Sequence, residues 1–518
     1  MVSSTLCAAI LLMLAVTTRC NGDTASRAAT PTVMPGTKES CYCLEDVLEE
    51  DLYNAASVVF HRKPDHEMDH VMVIEQRGVI AEYSMDKNMD KKTVLDIKSR
   101  VVTSSDYGES RGLLSAVPDP HFETNGRVFV YYSSSDIHAM KRDILQEYKC
   151  QDEIQSGLQK EADIKLMSCK HLKHTEFAWG KSVTREDGGE EYAYVSMFQA
   201  TDGVLDPLSE RVLLRVRQPF IHGNGGPMLF GSDGYLYIVT GDGGGQDDTN
   251  GYAQSKKTFY GKVLRLDVSG SQDFPAGHSA VAKMYSVPKD NPFLNDATAL
   301  PEVWALGFRN MWGCSQDSRP GGSGKIFCAE TGTNQFDEIN VIERGKNYGW
   351  NVKEGNACRN SGPCGPIENE GVPIHNFKHN SSHALVGGFV YRGKGFSWMD
   401  GQGLYVFGDV ISGQTFMLKE ESNMAWTDYR WPICSDLDLC SGHAKARPLQ
   451  HLLAFGQDTS GELYLLMARD LVPTTKTAKL LKMVPNKTNS SSRLQSPPPS
   501  ATLIGLILVM VKSMNMMF

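Results

Sequence analysis

The chain has 518 residues, of which 41% are hydrophobic and 22% are charged. This composition is ordinary for a globular protein, and the length suffices to bury a large core in one or a few domains. The net charge of −9 argues against a general nucleic-acid-binding protein, which would carry a basic excess. A basic protein partner stays compatible with this charge.

The N-terminus is predicted to be a secretory signal peptide over residues 1–20. Residues 6–16 form an apolar run, LCAAILLMLAV, that is too short to cross a bilayer and is followed by small polar residues. A buried N-terminal helix is the alternative. Residues 21–40 are small, polar and proline-containing, which predicts a linker before the folded region.

Cysteine usage indicates an oxidising compartment. Of the 12 cysteines, Cys7 and Cys20 lie in the predicted signal, which leaves an even number. These ten predict about five disulfides, and zinc held by thiolates is disfavoured because no CxxC spacing occurs. The ten residues are Cys41, Cys43, Cys150, Cys169, Cys314, Cys328, Cys358, Cys364, Cys434 and Cys440.

The spacing of these cysteines leaves most of their pairing open. Cys41 and Cys43 are too close in sequence to bond to each other without strain, so each should reach a distant partner. We predict that these partners are Cys358 and Cys364. Two further pairs look local, namely Cys314 with Cys328 and Cys150 with Cys169.

The C-terminal end carries a second predicted processing signal. Residues 486–500 are a polar spacer, and residues 501–518 begin with a hydrophobic run. This order is typical of a GPI-anchor signal, which would tie the protein to a membrane surface; a disordered tail is the alternative. The N-x-S/T pattern predicts glycosylation of a secreted protein at Asn380, Asn486 and Asn489.

One phrase recurs six times between residues 41 and 485. Each copy is a turn rich in Gly or Asp followed by a short aromatic or β-branched strand, and a second strand comes later. The repetition and the 48 glycines predict an all-β, six-bladed β-propeller, with a β-sandwich as the alternative. The copies begin at Asp69, Asn125, Asp233, Ser323, Gln402 and Ser460.

Two stretches have a helix-like pattern. Residues 43–55 (CLEDVLEEDLYNA) predict a short helix that leads into the folded region. Residues 136–175 are charged and helix-like, and we expect this insertion to lie outside the blades.

The stretch from His222 to Val268 is the clearest candidate for a functional site. Its predicted strands are 227–230, 235–240 and 262–268, and a glycine-rich loop follows Asp242. Because loops converge at a propeller's axis, this loop is expected to serve catalysis or recognition. Asp242 in an ordinary Asx turn is the structural alternative.

From about residue 41 to 484 the chain resembles the glucose/sorbosone dehydrogenase superfamily, and within it the Hedgehog-interacting-protein-like family. The resemblance implies a six-bladed propeller. The matching phrases, in order, include RGLLSAVPDPHFETNGRVFVYYS (111–133), PMLFGSDGYLYIVTGDGG (227–244), PEVWALGFRNMWGCSQD (301–317), ETGTNQFDEINVIERGKNYGWNVKEG (330–355) and LYVFGDVISG (404–413).

The bacterial members of this superfamily oxidise sugars with pyrroloquinoline quinone and calcium, which implies a cofactor site. His222 lies close to the family's general base, but Gly223 and Asn224 displace it by one residue. Arg309 and Asn310 match the motif that contacts the quinone. Further implied contacts are Lys394, as another cation, and the backbone oxygens of Gly332 and Thr333, for calcium.

Part of that implied site is missing. An arginine expected near residues 410–414 is replaced by Val-Ile-Ser-Gly-Gln. The other residues also have structural interpretations. Arg309 could tie blades together through a carboxylate, His222 could be a loop histidine, and Asp337 and Glu338 could accept hydrogen bonds between blades.

The resemblance also implies a recognition role. In Hedgehog-interacting protein, the loop after the Gly-Asp-Gly phrase presents acidic residues to a zinc-bearing cleft on Hedgehog. The corresponding loop here is 243–257, in which Asp247 and Asp248 are the best-placed acids, although such residues also form generic turns.

We therefore predict an extracellular binding protein whose partner is a secreted protein such as Hedgehog. The alternative is an oxidoreductase that uses pyrroloquinoline quinone and calcium and acts on the CH–OH groups of a sugar. The displaced His222 and the missing arginine favour binding.

Overall fold

The computed structural model describes residues 41–62, 69–86, 90–135, 191–270, 284–359, 363–378, 384–440, 442 and 444–487. The predictions for 1–20, 21–40, 136–175 and 501–518, and for Cys150, Cys169, Asn380 and Asn489, fall outside this part of the chain. No helix among these described residues is long and apolar enough to cross a membrane.

The described residues form six sheets of four or five antiparallel strands, which confirms the predicted six-bladed β-propeller. In each blade the first strand named is the inner one. Blade I consists of β2 (Ala55–Arg62), β3 (Asp69–Glu75), β4 (Val79–Ser84) and β5 (Lys91–Asp96). Blade II consists of β6 (Leu113–Pro118), β7 (Arg127–Ser135), β8 (Glu191–Thr201), β9 (Val204–Leu205) and β10 (Arg211–Gln218), and blade III of β11 (Met228–Phe230), β12 (Leu236–Thr240), β13 (Lys262–Leu266) and β14 (Val303–Leu306).

Blades IV to VI complete the ring, and blade IV carries an additional two-stranded hairpin. Blade IV consists of β15 (Met311–Gln316), β16 (Ile326–Glu330), β17 (Phe336–Val341) and β20 (His375–Lys378), and its hairpin is formed by β18 (Lys353–Glu354) and β19 (Ala357–Cys358). Blade V consists of β21 (Leu385–Val390), β22 (Tyr405–Asp409), β23 (Thr415–Glu420) and β24 (Trp426–Arg430). Blade VI consists of β25 (His451–Gln457), β26 (Leu463–Ala468), β27 (Ala478–Pro485) and β1 (Tyr42–Asp46).

Helical structure in the described part is confined to single turns. These are α1 (Phe122–Asn125) and four 3₁₀ turns, at Pro207–Ser209, Gln246–Asp248, Ser397–Met399 and Leu437–Leu439.

The six recurrent phrases are the second strands of the six blades. They form β3, β7, β12, β16, β22 and β26, and the strands predicted to follow them are third strands except in blade II, where the phrase leads to β10. A second strand is covered on both faces by neighbouring blades, so it is apolar throughout rather than alternating. β26, with sequence LYLLMA, is buried at every residue.

The inner strands β2, β6, β11, β15, β21 and β25 surround a central cavity of about 360 Å³. Serine hydroxyls join neighbouring inner strands across this wall. Ser115 Oγ donates to the Gly226 carbonyl at 2.5 Å, and Ser315 Oγ donates to the Gly388 carbonyl at 2.6 Å. Because each is buried and satisfied, these bonds fix the blades relative to one another.

Ring closure occurs in blade VI, where the N-terminal strand β1 pairs with β27. The helix predicted over 43–55 is therefore wrong: residues 43–46 belong to β1, residues 47–54 form no helix, and Ala55 begins β2. The acidic pattern resembles a helix locally, but Tyr42, Cys43 and Leu44 are fully buried against the last blade. Tertiary pairing overrides local propensity here.

The disulfides correct one pairing prediction and confirm another. Cys41 bonds to Cys434 and Cys43 bonds to Cys440, because β1 lies beside the segment that follows β24. The predicted bonds from Cys41 and Cys43 to Cys358 and Cys364 are wrong. The other two disulfides of the described part are Cys358–Cys364 and Cys314–Cys328, and the second was predicted.

The sequon residue Asn486 also lies at this closure. Its side chain is only 1% exposed, and its amide nitrogen donates to the Cys41 carbonyl at 3.0 Å. The nitrogen that would carry a glycan therefore faces the protein in this structure.

Candidate functional site

The candidate site lies where loops of blades III and IV meet at one end of the central cavity. Blade III contributes residues 219–227, before its inner strand, and residues 241–261, between β12 and β13. Blade IV contributes residues 307–310 and 331–335, together with the segment 347–359 that holds the small hairpin. Backbone bonds join the two blades, because the Asp242 N–H donates to the Arg309 carbonyl at 2.8 Å.

Asp242 is a buried carboxylate in this junction. Its Oδ1 accepts the Gly244 N–H at 2.9 Å, which confirms an Asx turn, and its Oδ2 accepts the Trp350 indole N–H at 2.9 Å. Burial raises the pKa of Asp242 to about 6, although nearby Arg309 opposes the rise. Asp242 therefore has a structural role, because it accepts hydrogen bonds from both blades. Its pKa also lies near neutral pH, as the pKa of a general acid or base does.

His222 does not pair with this carboxylate. Its imidazole is exposed, and Nδ1 lies 3.3 Å from the Ser110 hydroxyl. Gly223, with φ +71°, occupies the space beside Asp242, and a Cβ there would lie 2.6 Å from Asp242 Oδ1. The structure thus places the predicted base on the outside of the loop, as the structural alternative anticipated.

Arg309 and Asn310 are brought together with this loop. Arg309 Nη1 donates to the Thr331 carbonyl at 3.0 Å, and the guanidinium lies 5.8 Å from the Trp350 ring centre. Across the described residues it forms no ion pair, so it ties the blade through a carbonyl rather than a carboxylate. Asn310 Oδ1 accepts the Gly225 N–H at 3.1 Å.

A pair of buried glutamates, Glu330 and Glu338, lies next to Arg309, whose backbone N–H donates to Glu330 Oε1. The Asn340 amide nitrogen is 3.1 Å from Glu330 Oε2 and 3.1 Å from Glu338 Oε2. Burial raises the pKa of Glu338 to about 7 and also raises that of Glu330. Asp337 accepts the N–H groups of Gly332 and of Leu385 in blade V, so it is a blade-to-blade acceptor, as its structural interpretation predicted.

The turn containing Gly332 and Thr333 fits a hard cation. In the part of the chain described, neither of their carbonyls accepts a hydrogen bond, and the buried Thr333 hydroxyl has no partner. Glu354 Oε1 accepts four successive backbone N–H groups, from residues 333 to 336, at 2.7–3.2 Å. Burial would raise the pKa of Glu354, but these N–H donors hold it below its ordinary value. Oxygen donors near carboxylates suit calcium.

The other half of the implied cofactor site does not fit a quinone. Residues 410–414 carry no charge, and their turn closes on itself because Ser412 donates to Asp409 Oδ1 from both its N–H, at 2.6 Å, and its hydroxyl, at 2.9 Å. Lys394 lies beyond the opposite end of β21, where its N–H bonds to Glu462. The structure therefore separates Lys394 from Arg309 and Asn310.

The two acids of the loop 243–257 have different roles. Asp248 is buried, and its carboxylate accepts the N–H groups of Tyr252 and Ala253 at 2.9 Å each. Asp247 has φ 58°, and its side chain is 45% exposed. Only Asp247 presents its carboxylate to solvent.

A buried lysine frames the same loop. Lys262 is 0% exposed, and its ammonium donates to the carbonyls of Tyr252, Ala253 and Tyr260 at 2.6–2.9 Å. Burial lowers the pKa of Lys262 to about 7. The loop is thus built around internal charges, which hold its tip in place.

Several residues of the site were not predicted from the sequence. They include Trp350, Glu354 and Arg359. Trp350 lies in the matched phrase NYGWN, but no local pattern indicates its bond to Asp242. Arg359 adjoins a cysteine in a glycine- and polar-rich stretch, which gives no signal of its ion pairs.

The family model described as Glucose / Sorbosone dehydrogenase matches residues 61–410, and the chain belongs to this family. Within it, the chain is 34% identical over 312 residues to HIPL2 protein of Arabidopsis thaliana, covering 55% of this chain and 43% of that protein. It is 26% identical over 458 residues to Hedgehog-interacting protein of Mus musculus, covering 87% and 53%. The chain spans about half the length of these relatives.

Solved structures support the same fold. The apo aldose sugar dehydrogenase of Escherichia coli matches with a TM-score of 0.53 at 20% identity, covering 86% of this chain and 100% of that one. The PQQ-bound aldose sugar dehydrogenase of Streptomyces coelicolor matches with a TM-score of 0.52 at 15% identity, covering 86% and 98%. At these identities the likeness concerns the fold alone.

Proposed function

We propose that this protein is an extracellular propeller that binds a secreted protein ligand, such as Hedgehog, through the loop 243–257. The observation that carries the proposal is the exposed Asp247 carboxylate at the tip of an internally braced loop. A carboxylate oxygen is a good ligand for an open zinc position on a partner. The similarity to Hedgehog-interacting protein supports this choice of partner.

The geometry around His222 favours binding over catalysis. A sugar-oxidising site needs a base within reach of its substrate and oriented by a partner group. Here the His222 imidazole is on the outside of the loop, while Asp242 is occupied by Trp350 and Gly244. His222 is therefore held by Ser110 on the outer side of the loop and is not directed at Asp242.

Secretion and membrane attachment complete the proposal. The apolar run at residues 6–16, the disulfides and the C-terminal hydrophobic run support a secreted protein held at the cell surface by a GPI anchor. Release of the protein from intact cells by a phosphatidylinositol-specific phospholipase is the expected result. Retention after that treatment contradicts the anchor.

Calorimetric titration of the full chain with a Hedgehog ligand, zinc-loaded or metal-stripped, tests the proposal. We expect binding that is tighter with zinc and is weakened at least tenfold by Asp247→Ala. Asp202→Ala is the matched control, because Asp202 is also exposed with a positive φ of 51° but lies on the outer edge of blade II. Absence of wild-type binding, or equal loss in the control, contradicts the proposal.

A second candidate function is sugar oxidation with pyrroloquinoline quinone and calcium. The observation in its favour is the group of Arg309, Asn310 and the unbonded carbonyls of Gly332 and Thr333. When bound, the quinone would accept hydride from the sugar and calcium would polarise it. The described residues fit the calcium, but residues 410–414 carry no cation where the resemblance implies an arginine for the quinone.

A dye-linked assay with glucose, added quinone and calcium distinguishes the two functions. We expect no turnover above that of a His222→Ala variant. His121→Ala, at an exposed histidine beside α1, is the control for non-specific effects. Robust turnover that only His222→Ala abolishes would establish the enzyme.

A further inference from the structure

Arg359 joins the loop 243–257, here called the recognition loop, to the charged junction, which is the contact of blades III and IV around Asp242, Arg309, Trp350 and Glu354. Its Nη2 donates to Asp247 Oδ1, and its Nη1 donates to Glu354 Oε2. The guanidinium also lies 4.8 Å from the Trp350 ring centre, and its side chain is 10% exposed. One buried cation therefore contacts the only solvent-exposed acid of the pair Asp247 and Asp248.

Arg359 is itself held rigidly. Glu354, which is 2% exposed, is fixed by the four N–H groups of residues 333–336, and so cannot follow the arginine if it moves. The Arg359 backbone N–H donates to the Val352 carbonyl at 3.1 Å, and the neighbouring Cys358 is bonded to Cys364. A fixed guanidinium imposes a fixed direction on the carboxylate it binds.

The contact occupies only one oxygen of Asp247. Within the described residues, Oδ2 accepts no hydrogen bond. The backbone is held by Asn351, whose amide nitrogen donates to the Asp247 carbonyl at 2.5 Å. A carboxylate with one oxygen bonded to a neighbouring donor and the other open is the arrangement that orients a metal ligand.

We propose that Arg359 is a positioning residue that holds Asp247 with Oδ2 directed to a divalent metal ion carried by the partner protein. This inference rests on the proposed function of the loop. Asp247, Glu354 and Arg359 together carry a net charge of −1, which favours a cation at the open oxygen. A lysine of the partner would be attracted less strongly to this oxygen, because its ammonium carries half the charge of a divalent ion.

The test compares Arg359→Gln with Lys353→Gln in the full chain. Lys353 is the matched control. It lies in the hairpin that precedes Arg359, forms an ion pair with Glu370 and does not contact Asp247. Affinity is measured for a Hedgehog ligand in its zinc-loaded and metal-stripped forms. Hydrogen exchange of residues 245–252 is measured in the free proteins.

We expect Arg359→Gln to weaken binding of the zinc-loaded ligand by about 10- to 100-fold, as for other residues that orient metal ligands. Binding of the metal-stripped ligand and the circular dichroism spectrum should stay unchanged, and exchange in 245–252 should rise. Arg359→Lys should restore part of the affinity. Lys353→Gln should change none of these quantities.

Two outcomes overturn the inference while leaving the proposed function standing. One is unchanged affinity in Arg359→Gln; the other is an equal loss for both forms of the ligand, which indicates a merely structural role. If the wild type binds neither form, the proposed function fails and the inference fails with it. Unchanged exchange in 245–252 contradicts the claim that Arg359 holds the loop.

Discussion

Two junctions of this propeller are fastened by different chemistry. At the seam, defined by β1 and β27, two disulfides join chain segments separated by 393 and 397 residues. At the charged junction, the loops of blades III and IV are joined through Asp242, Arg309, Trp350, Glu354 and Arg359. The seam is fastened covalently, whereas the charged junction is built from ionisable groups.

The difference separates stability from function. Because the seam closes the ring covalently, the ring does not need the charged junction to hold it together. The charged groups of that junction can therefore be arranged for recognition. Buried charges cost free energy and persist where geometry or specificity requires them. The contrast predicts that the seam determines stability at any pH, while the charged junction determines pH dependence and ligand binding.

Removing both seam disulfides should have the largest effect. We expect the Cys41→Ser/Cys43→Ser/Cys434→Ser/Cys440→Ser variant to lose about 2–5 kcal/mol of unfolding free energy, because the two bonds close the same very long loop and either one alone keeps it closed. The loss should be the same at acidic and neutral pH in denaturant titrations. Cys358→Ser/Cys364→Ser, whose bond spans 6 residues, is the control and should lose less. An equal cost for the two variants contradicts the role assigned to the seam.

The second prediction concerns the pH dependence of the charged junction. Burial raises the pKa of Asp242 from 3.8 to about 6, so between these values the folded state holds a proton that the unfolded state has released. Stability from this group is therefore present at low pH and is lost as pH rises through about 6.

Relative to Asp242→Asn, the wild type should lose about 2.4 kcal/mol between pH ~4 and pH ~7. Denaturant titrations of both proteins across this range measure the difference. The variant also loses a hydrogen bond, because an amide cannot accept from both Gly244 and Trp350, but that loss is independent of pH. A constant difference, or one of opposite sign, contradicts the burial of an ionisable Asp242.

The smallest predicted effects separate the two acids of the recognition loop. Asp248→Ala should lower the unfolding free energy by about 1–2 kcal/mol, because two backbone N–H groups lose their acceptor. Asp247→Ala should change it by less than about 0.5 kcal/mol, since its ion pair is partly exposed. Thermal unfolding of both variants gives the comparison, and the reverse order contradicts the assignment of Asp248 to structure and Asp247 to recognition.

Features repeated along the chain were predictable from the sequence. The six phrases are runs of aromatic and β-branched residues between turns, and their burial on both faces makes the signal local and strong. Strand β1 was missed because LEDVLEED resembles a helix, while its partner β27 lies more than 400 residues away. The distant partners of Cys41 and Cys43 were missed for the same reason.

The candidate site was predictable only where a motif carried it. Arg309, Asn310, Gly332 and Thr333 came from matched phrases, and the structure brings them to one end of the cavity. The contact of Arg359 with Asp247 spans 112 residues and depends on how a hairpin of blade IV meets a loop of blade III. No local pattern encodes such a contact.

The central claim is that the loop 243–257 is the surface that meets the ligand. Hydrogen exchange of the full chain, with and without zinc-loaded Hedgehog ligand, tests this claim most directly. We predict protection of residues 245–252 and of the hairpin around Arg359, with none near Lys394 at the opposite end of the propeller. No protection, or protection confined to that opposite end, would contradict it.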